Sequence, residues 1–207
     1  MSLEKLRPEL AEHLRVIEIS ELNEFQNQMI DTIKGGQNLL IEAPDGSGKS
    51  TLGILSAMQK IEEPAEGSPR ALIIVPDDVR ARELYAKLQL VCKYLDLTVD
   101  MAHEKGNMLQ QRNDLFDGTE IIIGTPKRVF DLYIQNGFNV SKLKLFVLDD
   151  TLELMKKGHK FRISRIAESL PKCQHLMFSE TFNDKRIEEY LEEFIFSYKT
   201  IKFEPVS

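Results

Sequence analysis

Short runs of aliphatic residues recur along the chain, and each is separated from the next by a longer stretch of helical character. The runs at 71–75 and 121–123 contain only Ala, Ile, Leu and Val, which is typical of strands covered on both faces. Strands that alternate with helices favour βα units and a parallel sheet. We therefore predict one α/β domain over residues 1–207, with a mostly parallel central sheet and helices on both faces. The predicted strands are 38–42, 71–75, 98–102, 120–124, 143–148, 174–178 and 200–203.

The stretches between these strands carry helix and loop signals of their own. Pro8 suits the first turn of a helix that we expect to run to about residue 17. Asn183 is the predicted N-cap of another helix, and Thr125 followed by Pro126 predicts a cap and a first-turn proline in a third. The polar segment 62–69 is rich in proline and glycine, so we predict a loop there. An amphipathic stripe at helical spacing follows Asn183 and consists of Ile187, Tyr190, Leu191, Phe194 and Ile195.

The overall charge restricts how this chain could bind nucleic acid. Its 27 Lys and Arg residues face 33 Asp and Glu residues, so the formal net charge is -6. Attraction of a phosphate backbone by bulk electrostatics is therefore not expected. Any contact with nucleic acid must come from a local basic patch.

The cysteines, the histidines and the N-terminus argue for an ordinary soluble protein. The two cysteines and four histidines are scattered, and they form neither a CxxC pair nor a metal-ligand spacing. We expect Cys92 and Cys173 to be reduced thiols in a cytosolic protein. Residues 1–5 lack a signal-peptide core, and no apolar run approaches the roughly 20 residues of a membrane span. We therefore expect a soluble, cytoplasmic protein without a membrane partner.

One glycine-rich segment predicts a phosphate-binding site. Residues 43–51, Ala-Pro-Asp-Gly-Ser-Gly-Lys-Ser-Thr, follow the apolar run 39–41 and precede a helical stretch, which is the order of a P-loop. Its glycines would let backbone N–H groups converge on phosphate oxygens, and the helix N-terminus would add a favourable dipole. Lys49 would reach the β- and γ-phosphates, and the Ser50 hydroxyl would ligate Mg²⁺. The predicted nucleotide-binding residues of this loop are Ala43, Gly46, Ser47, Gly48, Lys49, Ser50 and Thr51.

Further segments surround the P-loop in a definite order. Residues 6–10 and Gln26 precede it, whereas 125–128 (Thr-Pro-Lys-Arg), 147–150 (Val-Leu-Asp-Asp) and 176–182 (Leu-Met-Phe-Ser-Glu-Thr-Phe) follow it. Together with the loop, they resemble the Q motif and motifs I, Ib, II and III of the DEAD-box helicases of superfamily 2. The resemblance covers nearly the whole chain. It implies the N-terminal, ATP-binding RecA-like domain of such an RNA helicase, with a Q-motif-like segment at about 3–30.

The resemblance also implies roles for residues around the nucleotide. Gln26 would recognise the adenine edge of ATP. Asp149 would hold Mg²⁺ largely through water, with Ser50 as the second metal-side residue. Asp150 would activate the attacking water in the place of the family's glutamate. With Lys49, these two aspartates are the predicted catalytic residues.

On the nucleic-acid side, the resemblance implies that Thr125, Lys127 and Arg128 contact the backbone of single-stranded RNA. Ser179 and Thr181 of motif III would couple that contact to the nucleotide site. Catalysis in the family also needs arginines from a second RecA-like domain. We therefore expect a second RecA-like domain in cis or a protein partner in trans, and negligible strand separation by residues 1–207 alone.

Several residues depart from the family pattern at the catalytic motifs. Asp150 is one methylene shorter than glutamate, and a carboxylate set back by roughly 1 Å can slow a reaction by about 10²-fold. Leu152 removes the last carboxylate of motif II, so Ser179 and Thr181 lose the partner they have in the family. Asp45 replaces threonine in the P-loop and adds negative charge near the phosphates.

The nucleic-acid side departs from the pattern as well. In motif Ia the family's arginine is replaced by Asp78, which should repel a phosphate, although Arg80 or Arg82 could compensate. The family's Gly-Gly motif is absent, and His103-Glu104 stands near its expected place. These changes lower the expected nucleic-acid affinity more than the expected ATP affinity.

Three hypotheses follow from the sequence. The first is the ATP-binding domain of a DEAD-box-type RNA helicase, with weak activity as an isolated chain. The second is a catalytically degenerate nucleotide-binding module that acts through a protein partner in trans. The third is an unrelated P-loop kinase or GTPase, against which no guanine-recognising NKxD motif is found.

Overall fold

Seven short parallel strands form one sheet. The computed structural model of the chain describes residues 3–64 and 67–204, and every strand pairing within them is parallel. The spatial order is β3-β4-β2-β5-β6-β1-β7. All seven predicted strands are confirmed, with ends that differ from the prediction by at most two residues. They are β1 Leu39–Glu42, β2 Ala71–Ile74, β3 Val99–Ala102, β4 Ile121–Gly124, β5 Leu145–Leu148, β6 Gln174–Ser179 and β7 Lys199–Lys202.

Helices connect the strands and cover the sheet on both sides. Adjacent residues of a strand point to opposite faces, so Ile41 and Leu40 of β1 belong to different halves of the core. Ile41 packs in the half that contains Leu55, and Leu40 packs in the half that contains Tyr190. The predicted layering is therefore confirmed. The α-helices are α1 Pro8–His13, α2 Glu24–Lys34, α3 Lys49–Lys60, α4 Asp78–Cys92, α5 Met108–Asp117, α6 Pro126–Ile134, α7 Thr151–Lys156, α8 Lys160–Ala167 and α9 Lys185–Phe194.

Two helix predictions need correction. The helix that begins at Pro8 stays α-helical only to His13 and continues as a 3₁₀-helix over Leu14–Ile17. The N-cap of α9 is Asp184, not Asn183, because the Asp184 carboxylate accepts a hydrogen bond from the backbone N–H of Arg186 at 2.9 Å. The same carboxylate also binds the Arg186 guanidinium, which an asparagine could do less strongly.

The predicted loop and the predicted proline turn are found where expected. Residues 62–64 and 67–69 have no helix or strand, while Ala65 and Glu66 lie outside the described residues. Thr125 is the N-cap of α6 with Pro126 in its first turn. Among the described residues, no helix is long and apolar enough to cross a membrane.

The topology brings the predicted motifs to one edge of the sheet. The P-loop follows β1, Asp149 follows β5, and Ser179 ends β6, which pairs with both β1 and β5. Thr125 follows β4 at the same edge, on the far side of β2. Ligands bind outside the carboxyl ends of strands in open α/β sheets, so this edge holds the candidate site.

Candidate nucleotide site and nucleic-acid face

The P-loop owes its shape to two glycines with left-handed backbones. Gly46 has φ 78° and Gly48 has φ 97°, and Gly48 is the N-cap of α3. A Cβ on Gly48 would lie 2.6 Å from the Gln26 side-chain nitrogen, whereas one on Gly46 would meet no atom within 4 Å. Gly48 is thus required for conformation and space, and Gly46 for conformation alone.

Lys49 is held by the loop itself. The ammonium group donates to the carbonyl oxygens of Ala43 at 2.8 Å and Pro44 at 2.9 Å, and to Asp45 Oδ1 at 3.1 Å. A lysine ammonium has three donors, so all three have partners in this arrangement. A phosphate group that binds Lys49 must replace at least one of them.

Ser50 and Asp149, the two residues predicted to lie on the metal side, are hydrogen-bonded to each other. Ser50 Oγ donates to Asp149 Oδ2 at 2.7 Å, and Asp149 is only 3% exposed. Burial raises the pKa of the Asp149 carboxyl to about 6, although the hydrogen bond from Ser50 and the charge of Arg80 act in the opposite direction. A hydroxyl and a carboxylate side by side are hard oxygen ligands of the kind that Mg²⁺ prefers.

The donor set fits a magnesium ion that is completed by phosphates and water. No group of three or more His, Cys, Asp or Glu residues able to hold a metal is present in 3–64 and 67–204. Mg²⁺ is usually bound through one or two carboxylates plus substrate phosphates, so a dedicated cage is not needed. Ser47 Oγ is buried with no hydrogen-bond partner in the described structure, as expected of a loop that closes around a ligand.

The Asp150 side chain is hydrogen-bonded to the backbone of the helix that follows it. The residue adopts a left-handed conformation (φ 59°, ψ 66°) and caps α7, accepting a hydrogen bond from the Glu153 N–H at 3.3 Å. Burial is the main cause that raises the pKa of its carboxyl, and Glu153 adds to the shift by repulsion. One oxygen of this shortened acid, Oδ1, therefore caps its own helix, and a role as water activator would use Oδ2 or require the cap to be released.

Gln26 lies directly behind the P-loop and belongs to a capping box. Its Oε1 accepts from the Asn23 N–H at 3.1 Å, while its own N–H donates to Asn23 Oδ1 at 2.8 Å. Asn23 Nδ2 donates to the Ser47 carbonyl at 2.8 Å and so ties α2 to the loop. Sequence reasoning missed Asn23, although the Asn-x-x-Gln spacing of 23–26 is a capping-box signal.

Motif III is joined to the P-loop strand. Ser179 Oγ donates to the Thr181 carbonyl at 2.7 Å, so the loss of a carboxylate at Leu152 does not leave this hydroxyl without a partner. The Phe182 N–H donates to Glu42 Oε1 at 2.9 Å, and Glu42 is the last residue of β1. Glu42 is a second residue that the sequence analysis missed, and no pattern in the residues around it indicates this contact.

Two of the three predicted nucleic-acid contacts form internal hydrogen bonds. Thr125 is buried and its hydroxyl donates to the Glu104 carboxylate. Arg128 donates to the carbonyls of Glu104 at 2.8 Å and Gly106 at 3.1 Å, and to Gln111 Oε1 at 3.2 Å. Lys127 is exposed, and its side chain forms no hydrogen bond or ion pair with the described residues. The segment around Glu104, which stands near the position of Gly-Gly in the family pattern, thus holds the side chains of Thr125 and Arg128 in place.

The charged side chains of the motif Ia helix, α4, also contact residues of the same domain. Asp77 caps α4 by accepting from the Arg80 N–H at 2.9 Å, and the Arg80 guanidinium lies 3.7 Å from Glu83. Arg82 Nη2 lies 3.2 Å from His103 Nδ1. Neither arginine replaces the charge lost at Asp78 without breaking an existing contact.

Known proteins resemble this chain in sequence and in fold. An ATP-dependent RNA helicase eIF4A from Kluyveromyces lactis is 33% identical over 171 residues, which is 81% of this chain and 42% of that protein. One from Scheffersomyces stipitis is 32% identical over 154 residues, 74% of this chain and 38% of the relative. The chain thus spans about two fifths of the length of these relatives.

The solved structures agree. The RNA helicase Prp28 from Chaetomium thermophilum bound to ADP superposes with a TM-score of 0.87 at 19% identity, over 99% of this chain and 50% of that one. A DEAD box protein from Methanococcus jannaschii gives 0.84 at 20% identity, over 95% and 54%. At these identities the likeness shows the fold alone. The DEAD/DEAH box helicase profile matches residues 23–190, so this chain belongs to the DEAD/DEAH box helicase family and folds as one of its RecA-like domains.

Proposed function

We propose that this domain binds ATP with Mg²⁺ and couples the nucleotide to single-stranded RNA as the ATP-binding half of an RNA helicase. The observation that carries the proposal is the convergence of Lys49, Ser50 and Asp149 beside the P-loop backbone. Lys49 would bind phosphate oxygens, Ser50 and Asp149 would hold the metal, and Gln26 would recognise adenine. Bound ATP would supply the phosphoanhydride bond whose cleavage drives the cycle.

Hydrolysis by this domain alone is expected to be slow. Asp150 is one methylene shorter than glutamate and caps α7 through Oδ1, and Leu152 supplies no carboxylate to motif III. Supplementary arginines would come from a second RecA-like domain in cis. Robust strand separation by purified residues 1–207 would contradict this part of the proposal.

The first test is calorimetric titration of residues 1–207 with ATP and ADP, with and without Mg²⁺ and single-stranded RNA. Lys49→Ala should abolish specific binding, and Lys87→Ala, an exposed change on α4, should leave it unchanged. RNA-dependent strengthening of ATP binding would support coupling. Absence of binding in the unmodified chain would refute the nucleotide site.

A second candidate, a catalytically degenerate nucleotide-binding module with a protein partner in trans, is favoured by a different observation. Thr125 and Arg128 donate hydrogen bonds to residues of the same domain, so these donors are not available to a nucleic acid. The double change Asp150→Glu with Leu152→Asp separates the candidates. A sharp rise in RNA-stimulated ATPase activity when a second RecA-like domain is supplied would support the helicase hypothesis. Unchanged ATPase activity would favour the degenerate nucleotide-binding module.

The family match and the thiols bear on two further expectations, the class of P-loop protein and its location. The match over residues 23–190 excludes the unrelated P-loop kinase or GTPase. We also propose a cytoplasmic location, which is supported by the two free thiols, Cys92 and Cys173. Fractionation of cells that express the protein at natural levels tests the location.

A further inference from the structure

A second pocket lies at the opposite edge of the sheet from the P-loop. It has a volume of about 550 Å³ and lies at the amino ends of β6, β1 and β7 and the entry to β5. Pockets of this size suit small ligands. Its lining includes four lysines, and we call it the lysine pocket: Lys60, Lys144, Lys172 and Lys199.

The lysine pocket concentrates positive charge in an acidic protein. The chain carries a net charge of -6, yet no Asp or Glu lines this pocket. None of the four ammonium groups lies within 4.0 Å of a carboxylate in the residues that the structure describes. Partial burial and the charge of Lys144 both lower the pKa of Lys60. An anion in the pocket would relieve this repulsion.

The floor of the pocket is polar and its central side chain, Gln174, is hydrogen-bonded through both ends of its amide. Gln174 is buried, and its side-chain nitrogen donates to the carbonyls of Ile33 and Gln37, each at 2.8 Å. Its Oε1 accepts from Lys60 Nζ at 3.1 Å, which is a bond to a neutral acceptor. Two of the three donors of the Lys60 ammonium therefore remain for a ligand.

A neighbouring source of negative potential is already neutralised. Lys60 is the last residue of α3, and the free carbonyls of a helix C-terminus disfavour anions. The Arg7 guanidinium covers that end by donating to the carbonyls of Met58 at 2.8 Å, Ile61 at 2.9 Å and Glu62 at 3.1 Å. Among the described residues, the four lysines are the only charged side chains that line the pocket.

We propose that the lysine pocket binds a compact phosphate-bearing anion at a site separate from the P-loop. Clustered ammonium groups with unused donors are strong partners for phosphate oxygens, because such hydrogen bonds are charge-assisted. The two sites lie at opposite ends of α3, whose 12 residues span about 17 Å, so one small ligand cannot occupy both.

Cys173 provides a local readout. It lines the pocket and is half-buried, whereas Cys92 is buried in the core. Burial raises the pKa of Cys173 to about 11 and that of Cys92 to about 12, so alkylation by a maleimide is slow at both and faster at Cys173. Protection of Cys173 by inorganic tripolyphosphate, followed by mass spectrometry, reports occupancy of this pocket and not of the P-loop.

The experiment compares four proteins. In the unmodified chain and in Lys49→Ala, tripolyphosphate should protect Cys173 at similar concentrations. In Lys144→Glu with Lys172→Glu, both exposed positions, the half-protecting concentration should rise at least about tenfold. Lys87→Glu with Lys93→Glu makes the same change of net charge on α4 and beyond, away from the pocket, and should keep protection.

The outcomes decide the proposal. Protection by ATP in Lys49→Ala at lower concentration than by tripolyphosphate would assign the phosphates to a nucleotide and would also support it. No protection, or equal loss in the two charge-reversed proteins, would overturn it. Stronger protection by an oligoribonucleotide with a 5′-hydroxyl end would also overturn it, since that result assigns the pocket to a nucleic-acid backbone.

Discussion

The ammonium nitrogen of Lys49 lies 3.1 Å from Oδ1 of Asp45, four residues earlier in the same phosphate-binding loop. Lys49 is nearly buried, whereas the Asp45 side chain is 79% exposed. The carboxylate thus occupies a donor of Lys49 from the solvent side, where a phosphate would approach. Asp45 competes with the ligand for its main cationic partner, and this competition can be measured.

Asp45→Asn should strengthen ATP binding. The change removes an ion pair that ATP must break and a negative charge that repels its phosphates. Because the aspartate is exposed and screened, we expect the Kd for ATP to fall only about two- to fivefold, and less at high salt. Asp117→Asn, an exposed change at the end of α5, is the control in the same calorimetric titration. Weaker binding by Asp45→Asn would show that its carboxylate supports the loop.

Asn23 should stabilise the domain and organise the P-loop by separate atoms. Its Oδ1 caps α2 and its Nδ2 holds the Ser47 carbonyl. Asn23→Ala should lower the free energy of unfolding by about 1 kcal/mol, because a cap is lost. Asn23→Ser keeps a capping oxygen, so it should recover most of that loss in urea denaturation. Both variants should weaken ATP binding, because both lose the hydrogen bond from Nδ2 to the Ser47 carbonyl. Normal ATP binding by Asn23→Ser would show that this hydrogen bond does not organise the P-loop.

The sequence predicted the sheet far better than the site contacts. Buried parallel strands are continuous aliphatic runs, so a run such as 121–123 identifies its own strand. The P-loop is also local in sequence, because its glycines and Lys49 are adjacent. The Glu104 contacts with Thr125 and Arg128 join segments more than 20 residues apart, and no spacing rule indicates them. Asp184 illustrates the limit at helix ends, since two neighbouring residues could each serve as the cap.

Gly46 and Gly48 should respond differently to alanine. Both have positive φ, so each substitution should cost about 1–2 kcal/mol of stability from backbone strain. Gly48→Ala should cost about 1 kcal/mol more, because its Cβ would push against the side chains of Gln26 and Asn23 and disrupt the capping box. Urea denaturation of the two variants measures the difference.

A double-mutant cycle tests the cause of that difference. In an Asn23→Ala background the capping box is already lost, so the additional cost of Gly48→Ala should shrink toward that of Gly46→Ala. Strictly additive effects of Asn23→Ala and Gly48→Ala would locate the extra cost elsewhere in the loop.

Asp149 should make the domain less stable as pH rises through the mildly acidic range. Burial raises the pKa of its carboxyl from 3.8 to about 6 in the folded state, so the folded protein binds this proton more tightly than the unfolded chain. Stability from this group is therefore complete below about pH 4 and is lost between about pH 4 and pH 6. Asp149→Asn cannot ionise and keeps an oxygen for Ser50. Above pH 6 it should be more stable than the unmodified chain by on the order of 2–3 kcal/mol.

Urea denaturation between about pH 3.5 and about pH 7.5, a range that includes both the unfolded and the folded pKa of this carboxyl, checks this prediction. The difference in free energy of unfolding between Asp149→Asn and the unmodified chain should grow with pH and then level off. Asp117→Asn should show no such growth, because its carboxyl is exposed. Parallel profiles for Asp149→Asn and the unmodified chain would mean that Asp149 is already ionised at the lowest pH. The same variant should lose Mg²⁺-dependent ATP binding, so the carboxylate that costs stability is the one the metal would need.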